Sequence, residues 1–130
     1  MARNTRTFTD FNLLFSKHPV SNDLNVKTNE DAVKSSLRNL ISTKNYERPF
    51  HPEIGCQVHS LLFENFTPVT VQTMKRSIFE VVRKFEPRVT ILDIKIMDRQ
   101  DENRIDLDII FKLTNSDRPV TLSTYLTRVR

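Results

Sequence analysis

His51, Cys56 and His59, with Glu53 among them, are the densest run of metal-ligating and nucleophilic side chains in the sequence. Structural zinc is ordinarily held by four ligands in two close pairs, and no second pair follows this one. Cys56 and His59 stand three residues apart on a predicted helix, a spacing that could set a nucleophile beside a base. Nothing in the sequence supplies an oxyanion hole or an orienting carboxylate for them. A buried cysteine and two surface histidines are the expectation. Paired carboxylates are the other route to chemistry, and Glu47, Glu53 and Glu86 are the candidates. A glycosidase needs two, roughly 5–9.5 Å apart, one of them with a raised pKa. The acids here are spread evenly among bases, and a chain with no Trp and 2 Tyr offers few platforms for sugar rings. The expectation is a protein that is not an enzyme, with no catalytic residue, no metal and no cofactor.

Two other clusters suit binding better than catalysis. Glu86-Pro87-Arg88 places two charges where a helix must stop. Pro87 cannot donate a helical hydrogen bond and pushes Glu86 out of the α region. A carboxylate is poorly placed at a helix C-terminus, where the macrodipole favours cations. The sequence tolerates that penalty, and function is one reason it could. Arg48-Pro49-Phe50 reads two ways. Phe50 could pin a loop to the core while Arg48 pairs with Glu47; or Arg48 and Arg88 could be forks for a partner's carbonyls or carboxylates, a task arginine suits better than lysine.

The elements that must position these residues follow from periodicity. Val71, Met74, Ile78, Val81, Val82 and Phe85 mark one face of a helix, with Lys75, Arg76, Glu80, Arg83 and Lys84 opposite. Thr67-Pro68 supplies its N-cap and first-turn proline. An earlier helix opens at Thr28-Asn29-Glu30-Asp31, with Thr28 as cap, and buries Val33, Leu37, Leu40 and Ile41. Val58, Leu61, Leu62 and Phe66 suggest a short helix between the two. Lys44 to Glu53, with Pro49 and Pro52, is a loop. Leu24 and Val26 suit a short strand. Leu92, Ile94 and Ile96 alternate with Asp93, Lys95 and Met97, and Ile105, Leu107, Ile109, Phe111 and Leu113 alternate with polar residues; both are strand periods. Val120, Leu122 and Leu126, with Ser123 and Tyr125, make a last strand. That strand is rich in β-formers and free of proline after Pro119, so an uncovered edge there would present unpaired backbone groups.

The expected fold class is α+β: a short N-terminal strand, three helices, then a three-stranded antiparallel meander. Residues 18–130 form a single domain, preceded by an arm, residues 1–17. Phe8, Phe11 and Phe15 fit a helical stripe in that arm, and Phe11, Leu13 and Phe15 fit a strand. Large apolar residues are costly to leave wet, so the arm is expected to dock on something.

Composition narrows the function classes. The 130 residues carry 20 basic and 16 acidic side chains, a net charge of +4, without a long basic block. The small basic clusters, Arg3 with Arg6, Lys75 with Arg76, Arg83 with Lys84 and Arg128 with Arg130, read as solvated faces. No aromatic residues interleave with them as a stacking platform, so nucleic acid is not an expected partner. No apolar run reaches the ~18 residues of a membrane span, and no secretory h-region opens the chain. A single cysteine excludes an internal disulfide and agrees with a reducing cytoplasm. Gly55 is the one glycine, which argues against a phosphate-cradling loop.

Tyr46-Glu47-Arg48-Pro49-Phe50-His51-Pro52-Glu53-Ile54-Gly55 and Glu86-Pro87-Arg88, together with His18-Pro19, Asp23-Leu24 and the helix end Asn39 to Thr43, resemble a known family. It is the phage-tail lysozyme-like baseplate wedge family, the sheath initiators of contractile tails and of type VI secretion baseplates. The resemblance runs from about Asp10 to Leu113, with Cys56 standing where a small polar residue is expected. It implies a structural protein of the virion, located in the tail baseplate and assembled in the host cytoplasm. Its implied partners are other wedge proteins, around their helical core bundle, and the tail sheath protein, which adds strands to the sheet. It further implies that Glu86, Pro87 and Arg88 lie at a wedge interface. Arg48, Pro49, Phe50, Gly55, Ser123 and Tyr125 are the other expected contact residues. The alternatives that remain open are a peptidoglycan-cleaving tail enzyme and a basic nucleic-acid-binding module.

Overall fold

The computed structural model describes residues 8–12, 14–24 and 26–129, those at 26–28 by their backbone alone. Arg3, Arg6, Leu13, Arg130 and the side chain of Val26 lie outside that description. The element order is β1 (Thr9–Phe11), β2 (Val26–Thr28), α1 (Glu30–Ser42), α2 (Val58–Leu61), α3 (Pro68–Phe85), β3 (Val89–Arg99), a 3₁₀ turn (Gln100–Glu102), β4 (Arg104–Leu113) and β5 (Pro119–Thr127). This is the expected α+β class. The arm adds one strand to it, because β1 pairs antiparallel with β2 as a small ribbon of its own. Thr28 therefore ends β2, and Asn29 occupies the N-cap position of α1 at a positive φ that asparagine tolerates.

β3, β4 and β5 form an antiparallel sheet in chain order, and α1 and α3 cover one face of it. β4 is the central strand and alternates without a break between buried Ile105, Leu107, Ile109, Phe111 and Leu113 and partly exposed residues. Val33, Leu37 and Ile41 of α1 and Met74, Ile78 and Val82 of α3 meet that row in one apolar core. Thr67 caps α3, its hydroxyl accepting the Thr70 N–H at 3.2 Å, and Arg83 and Lys84 complement the dipole at the other end.

The sequence period fails in one place. Ile91 faces Phe111 but Asp93 faces Ile110, so Leu92 is an extra residue in a β-bulge. The bulge reverses the phase of β3, which leaves Leu92 53% exposed instead of in the core row with Ile94 and Ile96. Arg128 also departs from the solvated-face reading. Its Nε donates to the Leu62 carbonyl at 2.8 Å and its Nη2 pairs with Asp98 at 2.9 Å, so it ties the end of β5 to α2 and β3.

Candidate protein-interface sites

Glu86 is the C-cap residue of α3, with its N–H still bonded to the Val82 carbonyl, and it is only 3% exposed. A buried carboxylate demands donors, and three reach it. Arg88 forks onto it through Nε at 2.6 Å and Nη2 at 2.8 Å, and the Ser36 hydroxyl of α1 adds a third bond. Pro87 makes this possible by ending the helix so that residues 86 and 88 fold back on one another. Burial alone pushes the Glu86 carboxyl up. The bonds from Arg88 and Ser36 and the charge of Arg88 outweigh it, and the group stays below the usual carboxylate range. In return, the bonds to Glu86 raise the pKa of the Arg88 guanidinium against its own burial. The face of that guanidinium lies over the Phe8 ring, 5.3 Å from its centroid. The Phe8 carbonyl accepts the Asn29 N–H and the Phe8 N–H donates to Asn29 Oδ1, so the cluster joins α1, α3, β3 and the ribbon. Glu86 itself is therefore closed to direct contact by a partner in the free protein. What the cluster shows to solvent is Pro87 and the outer part of Arg88, whose side chain is 26% exposed. Ser36 and Phe8 were not legible as its partners; the sequence signal is only a buried acid that has to find donors.

The loop from Lys44 to Cys56 closes on itself. Tyr46 N–H bonds the Pro52 carbonyl, Cys56 N–H bonds the Thr43 carbonyl, and Glu47 accepts the Lys44 N–H at 2.8 Å. Gly55 makes the closure possible, since a Cβ there would sit 2.6 Å from the Lys44 carbonyl carbon and oxygen. Phe50 does not pin the loop to the core: it is 96% exposed. Nor does Arg48 pair with Glu47, whose carboxylate is occupied by the backbone. Tyr46 and Phe50 both hold positive φ, at 66° and 68°, an uncommon conformation for bulky residues.

At the last strand the ladder itself reveals which backbone groups are free. Arg128 N–H donates to the Asn103 carbonyl at 2.7 Å, and the register Arg104↔Thr127 places those two residues opposite each other. Hydrogen-bonded and non-bonded pairs alternate in an antiparallel ladder. Leu126, Thr124, Leu122 and Val120 therefore turn their backbones to β4, while Thr127, Tyr125, Ser123 and Thr121 turn theirs outward. Among the described residues, no hydrogen bond occupies those outward groups. The β3 edge is different. Its outward donors include Val89 and Ile94; the first is taken by the Glu86 carbonyl and the second by the Asp93 carboxylate at 2.8 Å, and the bulge lies between them. Bulges and inward-turned charges are ordinary ways of protecting an edge. β5 has neither. The Ser123 and Tyr125 side chains lie exposed on the outer face, and Tyr125 carries the Arg104 guanidinium over its ring at 5.4 Å.

Among the described residues, no hydrogen bond joins Cys56 to His59. His59 Nε2 donates to the Ile41 carbonyl at 3.1 Å, and the Cys56 sulfur lies 3.7 Å from the Ser77 hydroxyl. Burial raises the Cys56 pKa, which disfavours a thiolate. Glu53 is pulled below the usual carboxylate range by its backbone hydrogen bond and by His51, 3.3 Å away. Among the described residues, no group of three or more His, Cys, Asp or Glu side chains could hold a metal, and no helix is long and apolar enough to cross a membrane.

Comparison with known proteins agrees with the fold and shows the family. Residues 27–118 match the family described as "Baseplate wedge protein gp25". The baseplate wedge protein gp25 of Enterobacteria phage T4 is 36% identical over 85 residues, which span 65% of this chain and 64% of that protein's length. A chain of the anti-feeding prophage baseplate superposes with a TM-score of 0.73 at 26% identity, over 85% of this chain and 88% of that one. Two more distant structures share the fold. A putative tail lysozyme from Geobacter sulfurreducens has a TM-score of 0.71 at 22% identity, over 78% and 92% of the two chains. The postcontracted pyocin R2 baseplate has a TM-score of 0.55 at 12% identity, over 88% and 98%. An α+β domain of this fold is thus one of the components from which contractile-tail baseplates are built. The chain belongs to the gp25 baseplate wedge protein family, whose place is the tail baseplate of the virion or a related baseplate.

Proposed function

We propose that this wedge protein is structural, that it attaches to the helical core bundle and neighbouring proteins of the wedge, and that it starts sheath polymerisation by lending a sheet edge to the first sheath ring. The observation that carries the reading is the outward row of unoccupied backbone groups on β5, beside a β3 edge that is interrupted by the bulge and by the bonds at Val89 and Ile94. An extended arm of a sheath subunit would complete that row by main-chain hydrogen bonds. Attachment falls to Pro87 and Arg88, with Glu86 holding the guanidinium in place, and to Arg48, Pro49 and Phe50 on the loop that Gly55 closes. Glu86 and Glu53 argue against a wall-cleaving enzyme, because both titrate below the usual range whereas a general acid needs a raised pKa.

The test is Ser123→Pro, which removes an outward N–H and leaves the ladder to β4 intact. Tails assembled with this variant are expected to contain it in their baseplates and to lack sheath. Full-length sheath on baseplates that carry it would overturn sheath initiation at β5. Hydrolysis of peptidoglycan by the purified protein, lost in Glu47→Gln or Glu53→Gln, would overturn the structural reading.

A further inference from the structure

A groove of about 880 Å³ runs beside the C-terminal half of β5, between that strand, the end of α1 and α2. Its floor is apolar and buried: Cys56, Leu62 and Leu126. Its rim is mixed, with Lys44, Gln57 and Ser60 among its polar members and apolar side chains between them. Tyr46, Phe63 and Val129 stand exposed around it, and Tyr125 forms the lip on the outer face. Exposed apolar side chains scattered singly need no explanation, but a set converging on one groove does.

The parity of the ladder says what can lie there. A strand added to β5 bonds to the outward groups of Ser123, Tyr125 and Thr127. Residues directly opposite one another across a ladder share a face. Added residues opposite Ser123, Tyr125 and Thr127 therefore project onto the outer, polar face. Those opposite Thr124 and Leu126 project onto the helix-covered face, and beside Leu126 the space there is this groove. A helix laid in the groove would leave the outward N–H and C=O row unpaired, and a flat polar strand would leave the floor unfilled.

Resting on the reading of β5 as the sheath-accepting edge, we propose that this groove selects the arriving strand. Its occupant is an extended segment of a sheath subunit with apolar side chains at alternate positions. One of those positions faces Leu126 at the groove floor, and the groove fixes the register at which the strand binds. Main-chain bonds alone would accept any register that kept the pairing, but a shift by one residue here would drive polar side chains onto Leu62 and Leu126.

The experiment uses the full chain and two synthetic peptides of about ten residues. One alternates leucine and threonine between lysine ends, and the other has serine in place of each leucine. The leucine peptide is expected to bind at least tenfold more tightly and to slow amide exchange at Ser123, Tyr125 and Thr127. The double variant Phe63→Ser, Val129→Ser changes exposed side chains only. It should fold, keep weak binding of both peptides and lose the tenfold preference. Equal affinity of the two peptides for the unaltered chain would overturn groove selection, as would a preference that survives in the double variant. So would protection at β3 amides instead, or a concentration-dependent dimer that buries the β5 edge and excludes both peptides. These results leave strand addition itself standing. That wider reading falls only if Ser123→Pro tails carry full sheath, so the two failures are distinguishable.

Discussion

At Glu86 a carboxylate gives up water on folding and receives three side-chain hydrogen bonds instead, two of them from one guanidinium. Its folded pKa lies below its unfolded value, so its contribution to stability is present above the unfolded carboxylate range and is lost as the pH falls through the folded value. Glu86→Gln keeps the shape and removes the charge. By denaturant unfolding at pH 7 it is expected to be roughly 2–3 kcal/mol less stable than the unaltered protein, the scale of hydrogen bonds to a charged group. The difference should hold down to about pH 5.5 and narrow below about pH 4.5, where the reference protein starts to protonate the same group in its unfolded state. A difference that is constant from pH 7 to pH 3 would show that Glu86 does not titrate with folding. The three residues and the oddity of an acid at a helix end were plain in the sequence. Its buried environment was not, because both partners from outside the motif, Ser36 and Phe8, are at least fifty residues away in the chain and no local pattern couples them.

Strands and helices were legible wherever one face meets the core and the other meets water. β4 shows this best, because its burial follows the sequence period residue by residue, and in α3 Met74, Ile78 and Val82 are the fully buried part of the stripe. β3 was legible only in part. An alternation of apolar and polar residues carries no mark of an inserted residue, and the bulge at Leu92 moves half the strand into the opposite phase. The ribbon was missed for a different reason: three-residue strands are too short to establish a period. Knowing the ladder parity sharpens what proline does to the last strand. Thr124→Pro deletes a donor that faces β4 and should destabilise the protein by about 3 kcal/mol, whereas Ser123→Pro, with its donor facing outward, should cost about 1 kcal/mol or less. Thermal unfolding of the two purified variants checks this. Equal losses would mean that the assigned parity is wrong.

The molecule as a whole consists of a helix-covered sheet and a two-stranded ribbon fastened to it at the junction of α3 and β3. Phe8 is the fastening that can be removed without exposing a buried charge, since the fork between Glu86 and Arg88 does not depend on it. Phe8→Ala is expected to change global stability by about 1 kcal/mol or less, in keeping with a half-buried contact. It should speed tryptic cleavage after Lys17 several-fold, while amide exchange in β4 stays as it was. Unchanged cleavage would place the anchorage of the ribbon elsewhere. The same fastening has a consequence for how the chain is made. Phe8 leaves the ribosome 80 residues before Arg88, and at about 5–20 residues per second that is a wait of roughly 4–16 seconds. For most of that interval the segment has its pairing partner β2 but not the guanidinium that holds it down. The ribbon of each nascent chain is therefore fixed in place only after α1, α2 and α3 have been made. A chain that stops short of residue 88 would leave an untethered ribbon bearing Phe8, Phe11, Leu14 and Phe15, a mark by which cellular quality control could tell unfinished wedge proteins from finished ones.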